Sequence, residues 1–87
     1  MRRQINLLII EPNVLIRKTL YNFFSDLIEV QVIGRVHDAQ IALSKSYSIF
    51  PDLIIFDASS DQDNEIDALK NLLSDFFIPV IFFSNMC

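Results

Sequence analysis

The most constraining feature of this 87-residue sequence is an alternation. Short apolar runs without helical period recur along the chain, and between them lie segments with a stripe at helical spacing. The first run is Ile5-Asn6-Leu7-Leu8-Ile9-Ile10, ended by Glu11-Pro12-Asn13. It reads as a strand buried on both faces. From Asn13 to Leu27 the residues Ile16, Leu20, Phe23 and Leu27 mark one face of a helix, with Asn13 as its N-cap. Glu29 to Val36 is a weaker strand, in which Val30, Val32 and Gly34 alternate with Gln31, Ile33 and Arg35. Asp38 caps a helix from Ala39 to about Tyr47, and Pro51-Asp52 breaks the chain. Leu53-Ile54-Ile55-Phe56 is a third buried strand, ending on Asp57. Ala58 to Asn64 is polar and reads as a loop. Ile66, Leu69, Leu73 and Phe76 form a third helical stripe, and Pro79 opens a fourth strand, Val80-Ile81-Phe82-Phe83, ending on Ser84.

The order βαβαβαβ implies an α/β fold, a parallel sheet with helices on both faces and right-handed crossovers. Among the orders open to such a sheet, the flavodoxin-like 2-1-3-4 makes a three-layer sandwich whose ligands bind beyond the carboxyl ends of the strands. That order sends Glu11, Asp57 and Ser84 to one rim. The length allows a single domain, residues 1–87. A 52% hydrophobic share with one Gly excludes a disordered or collagen-like chain.

Charge and cysteine usage narrow the function. The formal net charge is −4, and residues 44–87 hold seven acids against Lys45 and Lys70. Five of those acids lie between Asp57 and Asp67. An acidic balance disfavours direct DNA binding, and no basic recognition helix is present. Cys87 is the only cysteine, so no internal disulfide forms, which fits a reducing, cytoplasmic setting. No apolar run reaches the length of a membrane span, and the opening Met1-Arg2-Arg3-Gln4 does not resemble a signal peptide. Gly34, the sole glycine, does not lie in a phosphate-cradling loop, and His37, the sole histidine, supports neither a zinc site nor a triad. A phosphohydrolase with an aspartate nucleophile would want a second aspartate where Ser59 stands.

Two carboxylates at one rim repel each other, and a hard divalent cation such as Mg²⁺ relieves that repulsion through oxygen ligands. An aspartate beside such a cation can act as nucleophile toward a phosphoryl donor.

Several segments together resemble a response-regulator receiver domain. They are Asn6 to Glu11, Arg17 in the first helix, Val32-Ile33-Gly34 with Asp38-Ala39 and Ala42-Leu43, Pro51 to Asp57, and Ile78 to Ser84. The Val32-Ile33-Gly34 stretch is more similar to receivers of chemotaxis methylesterases and of helix-turn-helix regulators than to stand-alone ones. The resemblance implies a signalling switch and not an enzyme. Asp57 would accept a phosphoryl group from a histidine kinase, with Mg²⁺ held by Glu11, Asp57 and the Ser59 carbonyl. Ser84 would be the hydroxyl that senses the phosphoryl group.

The departures are physical. Pro12 stands where the family carries a second acid and offers no side-chain oxygen. The loop from Ser59 to Glu65 lacks the family's Met-Pro and Asp-Gly pairs. The family's fifth strand, with its lysine, and its last helices have no counterpart up to residue 87, so no catalytic lysine is assigned and an incomplete, four-stranded receiver-like domain is expected. An uncharged fourth strand at a sheet edge then predicts self-association. The alternative function is a degenerate pseudo-receiver that works as a protein–protein interaction module without phosphotransfer.

Overall fold

A computed structural model describes residues 3–57 and 63–83. The elements in chain order are β1 (Ile5–Ile10), α1 (Val14–Ser25), β2 (Val30–Val36), α2 (Ala39–Ile49), β3 (Leu53–Asp57), α3 (Asp63–Asp75) and β4 (Val80–Phe83). The strands form one parallel sheet in the order β2-β1-β3-β4, the flavodoxin-like arrangement expected from the sequence.

Side-chain alternation along the strands divides the core between two layers. Leu8 and Ile10 of β1, Ile54 and Phe56 of β3 and Val36 of β2 pack with Ala39, Ala42, Ala68, Leu69 and Leu72 from α2 and α3. Leu7, Ile9 and Ile55 face the other way, against Leu20, Tyr21 and Phe24 of α1. Burial of both faces is why β1 and β3 read as continuous apolar runs. At the lower end of the sheet Asp52 ties β3 to β1. Its carboxylate accepts the Asn6 N–H at 2.9 Å, and its own N–H donates to the Asn6 carbonyl at 2.7 Å.

Three local readings are corrected. The side chains that α1 packs on the sheet are Leu20, Tyr21 and Phe24, whereas Phe23 is 61% exposed and Leu27 lies beyond the helix end. Helix α3 starts at Asp63 and not near Ile66, so Asp63 and Asn64 belong to a helix and not to the polar loop. Its most buried line is Ala68, Leu69 and Leu72, with Leu73 and Phe76 flanking it.

The third correction concerns β2. A bulge falls between the pairs Leu7↔Val32 and Leu8↔Gly34, leaving Ile33 as an extra residue. Simple alternation would send Arg35 to the face opposite Val30 and Val32. The extra residue shifts the parity, so Val36 enters the α2/α3 core while Arg35 turns to the α1 side and stacks on Tyr21. Helix α2 ends at Ile49, and Phe50 follows with φ of 49°, a left-handed position that glycine adopts at no steric cost.

Candidate functional site

Glu11 and Asp57 are the two buried charged residues among the described residues, 0% and 4% exposed. Topology brings them together. Ile10 pairs with Phe56, so the next residues, Glu11 and Asp57, follow side by side at the carboxyl ends of β1 and β3. In the parity of both strands they belong to the α1 side of the sheet.

Glu11 is fixed by the backbone around it. Its N–H donates to the Val36 carbonyl at 2.9 Å, extending the pairing with β2 by one residue. Its carbonyl accepts from Arg17 Nη1 at 2.8 Å, and its Oε2 accepts the Asn13 N–H at 2.9 Å. Asn13 in turn caps α1, its Oδ1 accepting from the N–H groups of Leu15 and Ile16 at 2.9 and 3.1 Å. The sequence identified Asn13 as a cap but not its bond to the Glu11 carboxylate. Nor did it show that Arg17 buttresses the Glu11 backbone. The Glu-Pro-Asn order held the signal, because Pro12 has no N–H and leaves the Asn13 N–H as the next donor back toward Glu11.

The remaining oxygen, Glu11 Oε1, is fully buried and has no donor among the described residues. Burial first, then the hydrogen bond to Asp57, then the Asp57 charge push the Glu11 carboxyl up to about 7, while the Asn13 N–H and Arg17 pull the other way. Two adjacent carboxylates in a desolvated site cannot both hold their charge cheaply. A proton on Glu11 turns its carboxyl into a donor toward Asp57.

A hard divalent cation can occupy the same electrostatic position. Two carboxyl groups with a donor-free oxygen suit oxygen-seeking Mg²⁺, which completes its shell with water, backbone carbonyls or phosphate. Among the described residues no group of three or more His, Cys, Asp or Glu forms a closed metal cage. Ser59, Asp61 and Ser84 lie outside the described residues, so the structure does not address a Ser59 carbonyl ligand or a Ser84 hydroxyl at this rim. His37 sits after β2, 60% exposed, with Nε2 3.2 Å from Asp38 Oδ2, as a surface residue. No helix of the described chain is long and apolar enough to cross a membrane.

No family model matches the chain. Over 81 residues it is 31% identical to the protein-glutamate methylesterase/protein-glutamine glutaminase 2 of Oleidesulfovibrio alaskensis, covering 93% of this chain and 23% of that protein. The chain therefore spans under a quarter of that relative's length. The response regulator domain of Thermotoga maritima CheB superimposes with a TM-score of 0.83 at 27% identity, over 94% of this chain and 61% of that one. The response regulator PhyR from Brucella abortus is 30% identical with a TM-score of 0.71, over 93% of this chain and 34% of its own.

Proposed function

We propose that this chain, whose structural neighbours are response-regulator domains, works as a receiver domain in which Asp57 accepts a phosphoryl group from a histidine kinase. The observation that carries the proposal is the pair of buried acids, Glu11 and Asp57, at the carboxyl rim of the sheet. An Asp57 carboxylate oxygen attacks phosphorus, and the bond from phosphorus to the donor nitrogen breaks. The electron pair leaves with the imidazole, and an aspartyl phosphate remains. Glu11, Asp57 and the Ser59 carbonyl would hold Mg²⁺, which when bound offsets the charge of the incoming phosphoryl oxygens. Glu11 is held in place by Asn13 and Arg17, so its carboxyl is oriented before any ligand arrives. The Ser84 hydroxyl would donate to a phosphoryl oxygen.

The test is acid-labile phosphate on the wild-type chain after incubation with acetyl phosphate and Mg²⁺. The expected result is one phosphoryl group, absent from Asp57→Asn. An unlabelled wild type, or an equally labelled Asp57→Asn, overturns the proposal.

One observation favours a second reading. With Glu11 raised to about 7, a proton can settle the acid pair without a cation, and Pro12 contributes no side-chain ligand. The chain would then be a pseudo-receiver, acting through protein contacts alone. In either reading β4 is a surface for association with a second copy. Among the described residues it pairs with β3 alone, and Ile81 and Phe82 are 50% and 54% exposed.

A further inference from the structure

The bulge in β2 has a chemical consequence on the α1 side of the sheet. It turns Arg35 onto the α1 side, where a cleft of about 430 Å³ is lined by Val14, Arg17, Lys18 and Arg35. Three of those four residues are cations, in a protein whose formal net charge is −4. None of the three makes an ion pair among the described residues. The carboxylates of Asp52 and Asp38 pair with Arg3 and His37 instead.

Two of the cations are held in place. The Arg35 guanidinium lies 4.0 Å from the centre of the Tyr21 ring, and Arg17 Nη1 donates to the Glu11 carbonyl at 2.8 Å. Lys18 is exposed and able to follow a ligand. The neighbouring carboxyls are occupied elsewhere: Glu11 is buried with Oε2 on the Asn13 N–H, and Asp38 accepts the Ile41 N–H at 2.8 Å and faces His37. Like charges gathered on stacked and hydrogen-bonded anchors, with no ion pair among the described residues to Arg17, Lys18 or Arg35, form a receptor for an anion.

We propose that this cleft binds a small ligand bearing adjacent phosphate groups. Guanidinium forks match phosphate oxygens two at a time, and a mobile ammonium adds a third contact. A cleft of this size falls within the usual range for small-molecule sites. Tyr21 already carries Arg35 on its ring, so recognition rests on the phosphates and not on stacking of a base against that face. The cleft shares Arg17 with the acid pair, whose Glu11 backbone it braces, but Lys18 and Arg35 have no part in the phosphotransfer reading, and the proposal does not rest on it.

Inorganic pyrophosphate is the probe, titrated without divalent cations into the isotopically labelled full chain and followed by amide chemical shifts. Saturable shifts centred on Val14, Lys18 and Arg35 are expected, weakening as salt is raised. Lys18→Gln, at an exposed position, should weaken binding about tenfold, as expected for loss of one charge-assisted contact. Adding Arg35→Gln should remove most of the remainder. Unchanged shifts outside the cleft will establish that both variants stay folded. The proposal fails if millimolar pyrophosphate gives no saturation, or if the double variant binds as the wild type does. It also fails if polyglutamate moves these amides while pyrophosphate leaves them in place, because the surface would then fit an acidic polypeptide.

Discussion

Replacing Glu11 by Gln tests the electrostatics of the acid pair without phosphotransfer. In the folded chain the Glu11 carboxyl is pushed from its ordinary 4.5 up to about 7. Between those values the folded chain keeps a proton that the unfolded chain has released. Stability therefore falls as pH rises through this window. The penalty is absent below pH 4.5 and complete above pH 7, and a displacement of this size corresponds to about 3 kcal/mol. For a chain of this length, ~3 kcal/mol lowers the midpoint of thermal unfolding by roughly 12–24 °C. In Glu11→Gln the new side chain is neutral, keeps a carbonyl oxygen for the Asn13 N–H and offers an amide donor toward Asp57. The variant should thus be more stable than the wild type at pH 8 by about that amount, and close to it at pH 4.5. Circular dichroism melts of both proteins across this range, without divalent cations, measure the difference directly. A constant difference between variant and wild type from pH 4.5 to 8, or a variant less stable at pH 8, would refute the argument.

Other perturbations read separate parts of the structure. Mg²⁺ should raise the wild-type melting midpoint at pH 8 but much less at pH 5.5, where the proton competes, and Asp57→Asn should abolish the effect; equal effects in both proteins would place the cation elsewhere. Asn13→Ala removes the side-chain cap of α1 while leaving the backbone N–H that donates to Glu11, and should cost about 1 kcal/mol in urea unfolding. Leu72→Ala, at a fully buried site between α3 and the sheet, should cost about 2–5 kcal/mol. Phe82→Lys puts a charge on the exposed edge strand and should shift light-scattering mass toward monomer; a wild type that is already monomeric removes the case for pairing through β4.

The strands and their order were legible because burial on two faces leaves a composition that little else produces. The Leu53–Phe56 run has no polar position for a helix to turn outward. Helix faces were less legible. Phe23 and Phe24 are adjacent and chemically alike, and only the seating of α1 on the sheet decides that Phe24 packs inward. The start of α3 was hidden because Asp63 and Asn64 are as common in loops as in first helical turns. A bulge has no composition of its own, so nothing in Val30–Val36 announced that Arg35 would change sides. The adjacency of Glu11 and Asp57 came from topology, since their separation in sequence says nothing of it. The burial of Glu11 went against the ordinary reading of a glutamate before proline, which is a solvated strand end. What reverses that reading is a convergence of three contacts: the Val36 carbonyl, the Asn13 N–H and the Arg17 guanidinium each fix a different atom of Glu11. None of these contacts needs a cation. The fold itself therefore holds the carboxyl beside Asp57, and a proton or a metal ion only determines the charge that the pair carries.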